Sequence, residues 1–134
     1  MTPVREPHAM ISGMDPVLRP DAFVFVTSDD PALCQHAIAS FREDEGQSLI
    51  LPEGIARQAG LPCDLPMAWI TLRVVSALDG VGLTAAVSTV LAEAGIACNV
   101  VAGRHHDHLF VPKDRAQEAV ALLRERAAAE GRAS

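Results

Sequence analysis

A chain of 134 residues with 49% hydrophobic and 21% charged residues has the length and composition of one ordinary domain, or of two very small ones, and not of a disordered segment. With one Trp, no Tyr and 4% aromatic residues, its core must be built from Val, Leu, Ile and Ala. The net charge of −6, with eleven scattered basic residues, disfavours nucleic acid and anionic membrane surfaces as partners.

The first twenty residues are interrupted by Pro3, Pro7, Gly13, Pro16 and Pro20, which leaves no room for a long helix. No secretory signal or membrane span is expected. Cys34, Cys63 and Cys98 form no C-x-x-C pair, so they read as small buried hydrophobes in a reducing cytoplasm. Ala22 to Ser28 (AFVFVTS) reads as a buried strand, after which Asp29, Asp30 and Pro31 turn the chain. A short helix is expected within Pro31 to Phe41, then a polar loop, then a strand over Ser48 to Pro52. Pro52 and Glu53 open a helix that runs to about Ala59 and stops at Gly60. The segment Leu61 to Pro66 carries two prolines and divides the chain into residues 1–65 and 66–134.

In the second part, Trp69 to Val75 alternates, with Ile70, Leu72 and Val74 on one face and Thr71 and Arg73 on the other. The turn SALDGVG leads into a helix whose Leu83, Val87, Val90, Leu91 and Ala94 share one face, with Gly95 placed to end it. Ala97 to Gly103 and His108 to Val111 read as two strands joined by a hairpin loop. Pro112 to Asp114 start a last helix with Ala116, Ala119, Val120 and Leu123 as its stripe; beyond Leu123 the tail RERAAAEGRAS is expected to be helical at first and then frayed. The order β-α-β-β-α predicts an α+β, ferredoxin-like layer with an antiparallel sheet and helices on one face. Such a layer wants a fourth strand. Either the first part supplies it, or an edge stays open for a partner chain.

The residues TLRVVSALDGVGLTAAVSTVLAEAGIACNVVAGRHHDHLFVP resemble the ACT domain, a βαββαβ ligand-binding module attached to many amino-acid biosynthetic enzymes. The blocks VGLTAAVS, GI-x-CNVVAG and HDH-x-FVP, with FRE-x-EG and P-x-L-x-P before them, are similar to those of a bacterial family of small stand-alone proteins with two ACT-like halves. That resemblance implies an abbreviated ACT-like half over 1–65, because Ile11 to Leu18 leaves little room for the family's leading helix, and an ACT domain over 66–134. It also implies binding of a small molecule, an amino acid, at the DGVGL loop, and a homodimer with sheets placed edge to edge.

Chemistry at that loop is plausible on its own terms. Asp79, Gly80, Val81, Gly82 and Leu83 lie between a strand and a helix start, where free N–H groups and the helix dipole favour a carboxylate. Asp79 would pair with a ligand ammonium group; the alternative is a tight turn in which Asp79 caps the helix. Asn99, with Val100 beside it, is a polar amide in an apolar strand, and either faces the DGVGL loop across a ligand or bonds neighbouring backbone. RHHDH places His106 and His108 on one strand face with Asp107 pointing away, which is too few ligands for a closed metal site. A solvated or partner-contacting hairpin tip is the better reading there. The carboxylates of FREDEG, Phe41 to Gly46, read as solvated charge. No P-loop, dinucleotide fingerprint or nucleophile elbow is present, so no cofactor and no catalytic activity are expected. The alternatives to a ligand-binding regulatory protein are an interaction module without a small ligand and a metal-binding protein using His106 and His108.

Overall fold

The structure is a computed structural model that describes residues 2–133. Along the chain the elements are helix α1 (Pro7–Ser12), strand β1 (Pro16–Leu18), β2 (Phe23–Thr27), α2 (Pro31–His36), β3 (Ala39–Glu43), β4 (Gly46–Pro52) and α3 (Glu53–Gln58). Then follow β5 (Met67–Leu72), α4 (Leu83–Glu93), β6 (Asn99–Ala102), β7 (Asp107–Pro112), a 3-10 turn (Lys113–Arg115) and α5 (Ala116–Ala133). The class is α+β with ferredoxin-like modules, and the chain divides into two compact units, Met1–Arg19 with Ala68–Ser134, and Pro20–Met67.

The larger unit holds four strands in the order β1-β5-β7-β6. β1 pairs antiparallel with β5, Val17 opposite Thr71, and β6 pairs antiparallel with β7, Val100 opposite Leu109. β1 is the fourth strand that the β-α-β-β-α order lacked. It comes from the first part of the chain, one of the two sources expected, and not after the last helix, and the segment up to Arg19 groups with the second half. One face of the sheet carries the core. Ile70, Leu72, Leu109 and Val111 meet Leu83, Val87 and Leu91 of α4 and Ala119, Val120 and Leu123 of α5. Met10, Ile11 and Met14 from the N-terminal segment complete it. Each large apolar side chain fully buried here contributes about 1.5–3 kcal/mol.

Two local expectations change in this unit. Thr71, expected on a solvated face, is 1% exposed, because its hydroxyl is bonded to Arg19 and His108. The tail beyond Leu123 begins as helix, as expected, but the fraying expected after that does not occur, and α5 stays helical to Ala133. Its last turns are held by the buried carboxylate of Glu130, which takes hydrogen bonds from Arg126 Nη1 (2.7 Å) and pairs with His8 of α1. Those two partners hold the Glu130 carboxyl below the usual range.

The smaller unit runs β2-α2-β3-β4-α3, the same order as β5-α4-β6-β7-α5. Its strands lie β3-β4-β2, both pairs antiparallel, over a core of Val24, Val26, Leu49, Leu51 and Ala56. The helix expected within Pro31 to Phe41 ends at His36, and Ala39–Glu43 is a strand hairpinned onto Gly46–Pro52. Asp44 and Glu45 make the two-residue turn, and Gly46 follows at φ +132°, a conformation that favours glycine. The FREDEG carboxylates are exposed on this hairpin. The first half thus carries a whole β-α-β-β-α repeat. A helix, α1, and a strand, β1, precede it.

Candidate functional site

The strand-to-helix turn of the larger unit folds in two steps. Gly80 N–H closes a tight turn onto Ala77 O (2.9 Å), and Gly82, at φ +117°, then hands the chain to α4. A residue with a Cβ is strained in that conformation, so the second glycine of DGVGL is demanded by the backbone. The first helical bond of α4 runs from Ala86 N–H to Gly82 O, and no side chain caps the helix. The N–H groups of its first turn therefore meet a cavity of about 370 Å³ without a side-chain acceptor. That volume lies toward the lower end of small-molecule sites, about 300–1,000 Å³.

The cavity is lined by Gly80 to Ala85, by Ser76, Ala77 and Leu78, by Met10, and by Ala102 and Asp107 of the β6–β7 hairpin. Ser76 Oγ donates to Asp107 Oδ2 at 3.1 Å, so one carboxylate is oriented at this site by a hydroxyl. Helix N–H groups suit an anion and the Asp107 carboxylate suits a cation. One small zwitterion would satisfy both.

The corresponding turn of the smaller unit, Ser28 to Pro31, is closed by its own side chains. Asp30 accepts from Ala32 N–H (3.0 Å) and caps α2, and Asp29 accepts from Gln47 N–H (3.0 Å). The difference between the two turns is chemical: glycine leaves the helix donors open, aspartate fills them.

Of the residues singled out in the sequence, Gly80, Val81, Gly82 and Leu83 line the cavity, and Asp79, Asn99 and Val100 do not. Asp79 neither caps the helix nor faces the cavity; it accepts from Arg5 Nε (3.0 Å) at the exposed surface. Asn99 stands opposite Phe110, and its Nδ2 donates to Phe110 O at 3.4 Å. This is the second of the two expectations for Asn99, a bond to neighbouring backbone, and strand alternation accounts for it. Asn99 shares a face with Phe110, whereas the helices pack on the face of Leu109 and Val111. Val100 lies on the helix side but packs against the core. The same alternation contained the signal for Asp107, which was read as pointing away from His106 and His108. Pointing away from them, it points toward the helices and the turn.

The two histidines have separate partners. His108 Nδ1 accepts from Trp69 Nε1 (3.0 Å) and lies 3.2 Å from Thr71 Oγ1, while His106 Nδ1 meets Val74 O at 3.4 Å. A metal ion at His108 Nδ1 would have to displace the indole donor. Among the described residues no group of three or more His, Cys, Asp or Glu side chains is placed to hold a metal ion. Cys98 is partly buried beside the core, and burial pushes its thiol up, the opposite of what activates a nucleophile. Among the described residues no helix is long and apolar enough to cross a membrane.

Two family models, both of the ACT domain, match the chain, one over residues 3–68 and the other over residues 65–125. A Vibrio cholerae protein of unknown function, a possible transport protein, is similar in structure with a TM-score of 0.77 and 43% sequence identity, over 87% of this chain and 92% of that one. An Agrobacterium tumefaciens protein is similar at a TM-score of 0.61 and 20% identity, over 84% of this chain and 87% of that one. The aspartokinase alpha and beta subunits share the fold, with a TM-score of 0.55 at 13% identity over 83% of this chain and 95% of that one. No curated protein matches the chain at a significant level.

Proposed function

The chain belongs to the ACT domain family, and we propose that it is a cytoplasmic, non-catalytic regulatory protein that binds a free amino acid in the cavity at the DGVGL turn. The observation that carries this reading is the uncapped amino end of α4, where Gly82 opens the first-turn N–H groups onto a cavity that also holds the Asp107 carboxylate. The ligand carboxylate takes the helix N–H groups and its ammonium group takes Asp107, in place of the earlier expectations for Asn99 and Asp79. Binding acts on a partner through self-association. Leu78 and Val81, 73% and 76% exposed on the cavity loop, are the surface that a second copy covers in a homodimer. A ligand then promotes the dimer only to the extent that it contacts both copies, since a shift in equilibrium needs differential affinity.

Thermal unfolding in the presence of each of the twenty amino acids tests the reading. A rise in midpoint with one amino acid or a related group of them, at millimolar concentration, is the expected result. No rise with any of them sinks it. The exposure of Leu78 and Val81 also suits an interaction module without a small ligand. Concentration-dependent dimerisation that no amino acid alters would select that second reading.

A further inference from the structure

The N-terminal segment grips the cavity loop at four successive points. Val4 forms a parallel bridge with Ser76, its N–H donating to Val75 O (2.6 Å) and its carbonyl accepting from Ala77 N–H (2.8 Å). Arg5 pairs with Asp79. Pro7 lies in contact distance of Gly82, since a Cβ built on Gly82 would stand 3.5 Å from Pro7 Cβ. Met10 lies closest of all, with its Sδ 3.0 Å and its Cε 3.1 Å from where a Gly80 Cβ would be. Gly80 has no left-handed φ, so its lack of a side chain serves close approach, to Met10 on one side and to Ala77 O of the turn (3.1 Å) on the other. The thioether fills the space that glycine leaves.

Met10 is 1% exposed and sits among the core residues, yet it also lines the cavity. The polar lining, the helix N–H groups and Asp107, suits the charged ends of an amino acid. An apolar wall is left for its side chain. From this arrangement we infer that Met10 sets the size of ligand side chain that the cavity accepts. Ligand choice is thereby determined by a segment that lies outside the β-α-β-β-α repeat. This rests on the amino-acid reading above, and it adds a residue that the repeat itself does not contain. An unbranched thioether suits the task, because it fills an irregular gap and is pinned by the core on its other side.

The test is a comparison of ligand preference. The wild-type protein, Met10→Ala and Met10→Leu are each titrated with glycine, alanine, valine, leucine and phenylalanine, followed by thermal shift and calorimetry. Met10→Ala enlarges the cavity by several heavy atoms, and the expected result is a change of about tenfold or more in relative affinity toward the larger amino acids. Met10→Leu conserves volume and keeps the wild-type order. Because Met10→Ala also opens the core, a second measurement uses the wild-type chain. With methyl-labelled methionine, the Met10 ε-methyl resonance, assigned through Met10→Leu, shifts on addition of the amino acid that binds. An unchanged order of preference in Met10→Ala, or a Met10 methyl untouched by a bound amino acid, overturns the inference and leaves the amino-acid reading standing. Failure of every amino acid to bind the wild-type protein overturns both.

Discussion

Trp69 and His108 fix each other's chemistry: the indole N–H, which can only donate, points at His108 Nδ1 from 3.0 Å and so selects the neutral ring with its proton on Nε2. Thr71 adds a second contact to the same nitrogen at 3.2 Å, and its own oxygen accepts from Arg19 Nε at 3.1 Å. The Arg19 guanidinium lies 4.8 Å over the Trp69 ring. The chain of donors runs from Arg19 through Thr71 to His108, with Trp69 closing it from the side.

This arrangement predicts a direction for pH dependence. Burial pushes His108 below its ordinary value, with the neighbouring His106 and Arg19 charges acting the same way and Asp107 against them. The unfolded chain then binds the proton more readily than the folded one. The contribution to stability is therefore fully present above the unfolded histidine value of about 6.5 and is lost as pH falls from there through the lower folded value. A carbon-detected or proton NMR titration of His108 in the folded protein shows a midpoint below that of a free histidine. In Trp69→Phe the midpoint moves upward, because the neutral ring loses its donor. A His108 midpoint at or above the free value contradicts the assignment.

Glu130 predicts the complementary acid effect. Its carboxyl is held low by Arg126 and His8, so its contribution is present above the ordinary glutamate range and disappears as pH falls through the lowered folded value. Glu130→Gln removes that acid-sensitive part of the unfolding curve. Hydrogen exchange in the variant rises in α1 and in the last turns of α5, the two segments that Glu130 joins.

Gly82→Ala tests the turn by itself. A Cβ there meets only Pro7 Cβ, at 3.5 Å, so the cost comes from the φ of +117° and not from a clash. Chemical denaturation is expected to show a loss of about 1–3 kcal/mol. Gly60→Ala, also at positive φ and with nothing near, gives a comparable loss and serves as the control without a ligand effect.

Leu91→Ala tests the core. Leu91 is 0% exposed on α4 and belongs to the main core cluster. The expected destabilisation in urea is about 2–5 kcal/mol. A smaller loss would mean that α4 packs less tightly than its burial shows.

Asp107→Asn tests the polar end of the cavity. The amide keeps the size of the side chain and an oxygen for Ser76 Oγ, but removes the charge that an ammonium group would meet. Amino-acid stabilisation is expected to fall by about tenfold in affinity or more, in line with the loss of a charge-assisted bond of about 1.5–3 kcal/mol. The fold stays intact by circular dichroism. Undiminished binding would move the ammonium site elsewhere.

Much of this was legible in the residues themselves. The spacing of Leu83, Val87 and Leu91 defined α4, and Gly95, at φ +72°, ends it as the pattern required. The alternation of Ile70 and Leu72 found the core face of β5. What escaped depended on contacts distant in the chain. Ala39–Glu43 contains good helix formers and little alternation, and it is a strand because β4 offers it a register. The last turns of α5 carry Gly131 and look ready to fray, but Glu130 finds His8, 122 positions away. Met10 entered the cavity from a segment whose prolines argued only against a long helix. The backbone-bonding alternative for Asn99 follows from the same alternation, which places Leu109 and Asn99 on opposite faces.

The position of β1 has a consequence for how the protein is made. Arg19 and Thr71, bonded beside the β1–β5 pairing, are 52 positions apart, and Pro20–Met67, which makes up most of the stretch between them, is the other compact unit. A ribosome therefore releases the edge strand of the larger unit first, then an entire smaller unit, and only afterwards the strand that the first one needs. The smaller unit is completed while the waiting N-terminal segment has nothing to hold. A gene cut at Leu61–Pro66 would likewise not yield two self-sufficient halves. The downstream fragment would begin with β5 bare along the edge that β1 covers, and would lack the Met10, Ile11 and Met14 side chains of its core. Chain order and spatial order disagree here, and biogenesis has to wait for the second to catch up with the first.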